Sequence, residues 1–139
     1  MKQAQLKELM LQSLEHERGG VLVYQTALEC VINRDLRTEW EEYLEQTRTH
    51  VQELTKLCEV LGFDPKEVTP GCKVVQHTGK SLVIAMKMAL AAGDAAAAEL
   101  VACECVVLAE TKDHADWKLI GKCAEALEGA AADAMMAAY

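Results

Sequence analysis

Apolar residues recur every three or four positions along most of this chain, which is the spacing of one face of an α-helix. The pattern predicts a first helix over about residues 3–33 and a second over about residues 36–61, with Asp35 as the N-cap of the second. Only 4% of the residues are aromatic, and the helix-favouring residues alanine, leucine, glutamate and lysine are abundant. We therefore expect an all-α fold.

Proline and glycine mark the remaining helix boundaries. The stretch GFDPKEVTPG, residues 62–71, predicts a loop, and Thr69 within it is the expected N-cap of a third helix. Gly93 is expected to end that helix, and Asp94 to cap a fourth helix that runs to about Leu127.

Helices joined by short connections pack as antiparallel neighbours. We expect residues 1–128 to form an antiparallel up-down-up-down four-helix bundle. The Ala-rich C-terminal tail, residues 129–139, has little apolar bulk to bury, and we expect it to fray or to pack on a neighbouring subunit. Long helices and such a tail would suit a homodimer, although no residue pattern requires one.

Charge and cysteine content limit the classes of partner. The formal net charge is -8, so we expect neither nucleic acid nor a membrane as a partner. No segment reaches the roughly 20 apolar residues of a membrane span, and the N-terminus lacks the apolar run of a signal peptide. The six cysteines include no CxxC pair, so we expect reduced thiols in a cytoplasmic protein.

One carboxylate interrupts the apolar face of the first helix. At about 100° per residue, Glu17 lies at the centre of the apolar stripe. An unpaired buried carboxylate costs several kcal/mol, so Glu17 must be protonated, paired or bound to a metal ion. The stripe around it consists of Leu6, Met10, Leu14, Val21, Tyr24, Leu28 and Val31.

The second and fourth helices place further polar residues at the level of Glu17. Glu17 lies 17 residues before Arg34, and His50 lies 16 residues after it, so the two should face each other. Counting back from the second hairpin brings Glu104 to the same depth. Glu17, His50 and Glu104 therefore predict a core site for iron, manganese or zinc. Glu104 is central in a stripe made of Leu100, Val101, Val107, Leu108, Ala115 and Leu119.

A second group of candidate ligands lies in ETKDHADW, which contains Glu110, Asp113 and His114. Glu110 and His114 are four residues apart and share one helix face, so they are candidate additional metal ligands. The alternative is a solvated flank, on which Glu110 pairs with His114 or Lys112.

Two glycines stand in the middle of the first helix. Gly19 and Gly20 each cost about 1 kcal/mol relative to alanine, which close approach of a neighbouring helix or a small kink would explain. His16 points about 100° away from Glu17, so we expect it at the surface.

Glu17, with Tyr24 seven residues later and His50 33 residues later in EQTRTHVQEL, resembles the first half of a ferritin-like bundle such as bacterioferritin or rubrerythrin. Residues 70–117 are similar to small bacterial ferritin-like proteins of poorly characterised function, and the resemblance covers residues 3–127. It implies a Glu on the first helix and a Glu-x-x-His on the second, repeated on helices three and four around two metal ions.

The ligand set implied by this resemblance is incomplete. Thr47 stands where the glutamate of the second helix is expected, and Val107 stands where a histidine should follow Glu104. The third helix offers no carboxylate at the right depth. Three of the six expected ligands remain.

Three functions are compatible with these residues. The first is a ferritin-like metal-binding protein with one divalent ion held by the inward carboxylates and His50, and with Tyr24 and Thr47 beside the ion. The alternative is a metal-free helical stress or scaffold protein, in which buried Glu, His and Tyr form a hydrogen-bond network. An enzyme that activates oxygen or peroxide ranks last, because such chemistry usually needs two metal ions.

Overall fold

The described part of the protein is all-helical. The computed structural model describes residues 2–127 and 129–139, and these ranges contain five helices and no strand. The all-α prediction is therefore confirmed. None of these helices is long and apolar enough to cross a membrane. In chain order the helices are α1 (Gln3–Cys30), α2 (Arg34–Val60), α3 (Pro70–Ala91), α4 (Ala95–Ala126) and α5 (Gly129–Ala138).

Side-chain caps set the starts of three helices. Thr69 and Asp94 cap α3 and α4 as predicted, because each accepts a hydrogen bond from a backbone N–H of the first turn. The N-cap of α2 is Asn33 and not Asp35. The Asn33 side chain accepts hydrogen bonds from the backbone N–H groups of Asp35 at 2.9 Å and Leu36 at 3.0 Å, so α2 begins earlier than predicted.

The ends of the first three helices also have local causes. α1 ends at Cys30, before the predicted end at residue 33, because Val31 adopts an extended conformation with φ -74° and ψ 136°. Gly62 and Gly93 follow α2 and α3 with φ values of 81° and 83°, in the left-handed region that favours glycine.

α1 is the central helix of the fold. It contacts α2, α3 and α4, and α3 also contacts α4, whereas no described Cα atom of α2 lies within 8 Å of α3 or α4. α1 runs antiparallel to α4, since Glu17 lies beside Trp117 whereas Asn33 lies beside Glu99. Side chains of α1 can therefore meet those of every other long helix.

Gly20 allows α1 and α2 to approach each other closely. A Cβ atom at Gly20 would lie 3.2 Å from Cγ2 of Thr47, which is tighter than an ordinary contact. Close approach of a neighbouring helix, one of the two explanations predicted for the paired glycines, accounts for this position.

The C-terminal tail differs from its expected behaviour. Residues 129–138 form α5, which packs against α4 and α2 of the same chain. Met135 is fully buried, and a Cβ atom at Gly121 would lie 2.6 Å from the ring of Tyr139. Met135 thus holds this alanine-rich helix against the core of the same chain.

Two hydrophobic clusters form the core of the described residues. Glu17 lies between them along α1, so a polar layer separates the two clusters. The first cluster includes Leu6, Met10, Leu14, Leu54, Ile120 and Met135. The second includes Val23, Tyr24, Ala27, Trp40, Met86 and Ala102.

Candidate metal centre

Glu17 is the most buried residue of a polar cluster between α1, α2 and α4. Only 3% of its surface is exposed. Nε1 of Trp117 donates a hydrogen bond of 3.0 Å to Oε1 of Glu17, and Nδ1 of His50 lies 3.4 Å from the same oxygen. The His50 and Trp117 rings also contact each other, with centroids 5.1 Å apart. Glu17 is therefore inward-facing, as predicted, and is held from two neighbouring helices.

Asp113 is the third member of this cluster. One possible ligand atom from each of Glu17, His50 and Asp113 lies within 4.8 Å of the other two. Oδ1 of Asp113 is buried and has no hydrogen-bond partner among the described residues. Because a buried oxygen without a partner costs free energy, a cation between the three side chains would stabilise this arrangement.

The close approach of these groups shifts two pKa values. Burial first, and then hydrogen bonding to Glu17 and repulsion from its charge, raise the pKa of Asp113 to about 7. Hydrogen bonding to the Glu17 carboxylate raises the pKa of His50 above 6.5, against the opposing effect of burial. Near neutral pH, a proton on Asp113 therefore occupies a position that a metal ion would take.

The pKa of Asp113 predicts how the stability of the metal-free protein varies with pH. The folded protein holds a proton on Asp113 that the unfolded chain, with a pKa of about 3.9, has released. The free energy of unfolding should therefore fall as the pH rises from about 4 to about 7. Asp113→Asn has no charge to desolvate, so its stability relative to the natural protein should rise between pH 5 and pH 8.

Urea unfolding with a chelator present, at both pH values, measures this difference. An Asp113→Asn variant whose stability relative to the natural protein is the same at pH 5 and pH 8 would contradict a pKa of about 7 for Asp113.

A small cavity of about 10 Å³ lies beside the cluster, which is about the space of one water molecule. Tyr24 and Glu110 line this cavity, and the Tyr24 hydroxyl donates a hydrogen bond to Oε1 of Glu110. Burial raises the pKa of the Glu110 carboxyl. Thr47 lines the cavity as well, but its hydroxyl donates to the carbonyl oxygen of Tyr43 at 2.7 Å. Tyr24, Thr47 and Glu110 thus surround the cluster without joining it.

Two of the predicted metal ligands lie elsewhere. Glu104 and His114 are exposed on α4, and neither belongs to the cluster. The prediction that Glu104 faces inward was wrong because it placed the large aliphatic side chains of α4 inside, whereas Leu100 is 73% exposed. Small side chains face the neighbouring helices and let their backbones approach. The buried residues of α4 are Ala98, Ala102, Cys105, Val106, Ala109, Asp116, Ile120, Gly121, Cys123 and Ala124.

The same stripe of small residues explains why Asp113 was not placed beside Glu17. Sequence reasoning grouped Asp113 with Glu110 and His114 and did not assign it to the core. Asp113 follows buried Ala109 by four residues and precedes buried Asp116 by three, so it shares their helix face. Alanine and cysteine recur at helical spacing along the buried face of α4. This pattern, and not the spacing of leucine and valine, identifies Asp113 as a residue of that face.

His16 is not the surface residue that the sequence predicted. It is half-buried, and its Nε2 donates a hydrogen bond of 2.9 Å to the carbonyl oxygen of Ala109 on α4. Burial lowers the pKa of His16. α4 therefore covers the side of α1 next to Glu17.

The donor set suits a divalent metal ion. Carboxylate oxygen and imidazole nitrogen are ligands that iron, manganese and zinc accept. Two ligand atoms on a tetrahedral ion at about 2.1 Å lie about 3.4 Å apart. Nδ1 of His50 and Oε1 of Glu17 already have this separation, 3.4 Å.

Comparisons with known proteins identify no relative of this chain: no protein-family model matches it, and neither a curated protein nor a solved structure does. The function is therefore inferred from the chemistry of the cluster.

Proposed function

We propose that this protein binds one divalent ion, iron, manganese or zinc, between α1, α2 and α4 through Glu17, His50 and Asp113. The observation that carries the proposal is the convergence of three ligand atoms within 4.8 Å of one another around a buried carboxylate. Asp113 takes the place of Glu104 in the ligand set predicted from the sequence.

A bound cation would relieve two costs of the metal-free cluster. Two carboxyl groups lie together in a partly buried site, where one of them retains a proton near neutral pH. The ion would replace that proton and give Oδ1 of Asp113 a partner. Trp117 would stay hydrogen-bonded to Glu17 and orient the carboxylate, as neighbours of metal ligands commonly do.

Three protein ligands would leave at least one coordination position open on the ion. The cavity of about 10 Å³ beside Glu17 and Asp113 has the space for one water molecule there. The Tyr24 hydroxyl and Glu110 line the cavity and supply polar groups next to that position. This arrangement suits a protein that stores or senses a single ion.

We also propose that the fold is a variant of the ferritin-like four-helix bundle. The support is the pairing of Glu17 on α1 with His50 on α2, the two positions that carry the resemblance. Asp113 on α4 then supplies one ligand where the resemblance implies a Glu-x-x-His. Such a site would hold one ion in place of two.

The second candidate function is a metal-free scaffold. Two observations favour it: Trp117 donates a hydrogen bond to Glu17, and Asp113 retains a proton that it can donate to the same carboxylate. These bonds satisfy Glu17 without a metal. The polar layer would then fix the register of α1, α2 and α4.

Metal titration separates the two functions. Untagged protein stripped with a chelator would be dialysed at pH 8 against iron(II) without oxygen, and separately against manganese(II) and zinc(II), followed by elemental analysis. The expected result is about one ion per chain for at least one of the metals. Asp113→Asn should bind that metal at least about 100-fold more weakly.

Glu104→Gln is the matched control, because it makes the same carboxylate-to-amide change on the exposed face of α4. It should bind the metal like the natural protein. The absence of bound metal from the natural protein in all three titrations would favour the scaffold. Loss of metal in Glu104→Gln with retention in Asp113→Asn would return the ligand role to Glu104.

A further inference from the structure

A groove of about 310 Å³ lies between α3 and α4 and reaches α1. We call it the glycine groove, because Gly19 and Gly20 of α1 and Gly79 of α3 are among the residues that line it. No described acidic side chain lines it, and its size and lining are typical of a site for a small molecule. Its apolar walls include Val23, Val74, Val75, Leu82 and Leu108.

Gly19 and Gly79 widen the groove. A Cβ atom at either position would meet no atom within 4 Å. Glycine inside a helix is unfavourable relative to alanine, so a position that keeps it needs a reason. Close helix contact is the reason at Gly20, where a Cβ atom would lie 3.2 Å from Thr47, but it does not apply to Gly19 or Gly79. The space that these two residues leave is shared by the glycine groove and an adjoining groove that Glu15, Arg18 and Lys80 also line.

The two ionisable side chains that line the groove, His16 and Lys112, are already engaged within the protein. Lys112 forms an ion pair with Asp116, with Nζ 2.5 Å from Oδ1. The Nε2 atom of His16 donates a hydrogen bond to the carbonyl oxygen of Ala109. A charged ligand would therefore lose its hydration without gaining an opposite charge of its own.

We propose that the glycine groove binds a small uncharged molecule with an apolar body. His16, Gly20 and Ala109 line both the groove and the small cavity beside Glu17 and Asp113. The bound molecule would thus lie one layer of residues from the candidate metal centre. Binding in the groove itself needs no metal, so this inference does not depend on the proposed function.

Titration with 1-heptanol tests the proposal on metal-free protein whose valine and leucine methyl groups are labelled for NMR. The methyl signals of Val23 and Leu82 should shift and saturate, whereas those of Leu54, in the first hydrophobic cluster, should not. Heptylammonium and heptanoate have the same chain with a charge. Each should bind at least about tenfold more weakly than 1-heptanol.

A variant whose new side chain fills the groove gives the decisive test of the proposal. Gly79→Leu should weaken 1-heptanol binding at least about tenfold. It should also raise Tm by about 3 °C, because the new side chain has open space and leucine favours helix. Ser81→Leu is the matched control, since it adds the same side chain to α3 at an exposed position outside the groove. Gly19→Leu is a second filling variant.

Several results would overturn the proposal. One is unchanged 1-heptanol binding in both filling variants, and another is heptanoate binding as tight as that of 1-heptanol. A fall in Tm in both filling variants would assign the glycines to packing. If 1-heptanol does not bind and sedimentation shows a dimer that Gly79→Leu dissociates, the groove receives a second copy of the chain. Metal titration of Gly79→Leu keeps the two sites distinguishable, because normal metal binding is expected there.

Discussion

Lowering the pH from 8 to 6 is expected to weaken divalent-metal binding by more than about tenfold, because Asp113 alone contributes about tenfold and His50 adds to it. Two groups must lose a proton before they can bind the ion. The pKa of Asp113 is about 7 because burial and Glu17 disfavour its charged form, and the pKa of His50 is raised above 6.5 by Glu17. Each group contributes about one factor of ten for every pH unit below its own pKa.

Competition with a chelator of known affinity at each pH measures the effect for the metal that binds best. Calorimetry in two buffers of different ionisation enthalpy counts the protons released, and about two are expected at pH 6. An affinity that is the same at pH 6 and pH 8 would exclude Asp113 and His50 as the ligands. A decrease in metal affinity of only about tenfold between pH 8 and pH 6 would mean that only one of these two residues binds the ion.

Leu54→Ala is expected to lower the free energy of unfolding by about 2–5 kcal/mol, whereas Leu100→Ala should change it by less than about 0.5 kcal/mol. Leu54 on α2 is fully buried in the first hydrophobic cluster, so truncation leaves a cavity. Leu100 on α4 is 73% exposed, although the apolar pattern of α4 placed it inside.

Urea denaturation of both variants, with the slope of each transition compared with that of the natural protein, gives the two values. The same leucine-to-alanine change is made in each, so the contrast isolates burial. A cost above about 2 kcal/mol for Leu100→Ala would mean that another molecule covers this face of α4 in solution.

The helix boundaries were the part of the fold that local sequence could predict best. Thr69 and Asp94 act as N-caps through bonds to their own first turns, so three or four residues contain the whole signal. Asn33 and Asp35 lie within one turn of each other, and either residue type can serve as the N-cap of α2. The backbone conformation after Val31 determines that Asn33 takes this position. The docking of α5 depends on Met135 reaching a core built from distant residues, which local composition does not reveal.

Two of the three residues of the candidate site were predictable for a physical reason. On α1 the large apolar side chains face inward, so the hydrophobic stripe identified Glu17, and the hairpin placed His50 opposite it. On α4 the inward positions are small because the helices pack closely there, so counting large apolar residues chose Glu104 over Asp113. The spacing of large apolar residues therefore identifies the buried face of a helix reliably only where the large side chains lie on that face.

The polar layer between the two hydrophobic clusters affects how cooperatively the protein unfolds. Each cluster buries its own set of apolar side chains, and Glu17, His50 and Asp113 lie where α1 passes from one to the other. Without a cation, the contacts across this layer are hydrogen bonds whose strength changes with protonation, so the two halves can lose structure separately. An ion held by three helices would couple them, and the chain would then unfold as one cooperative unit.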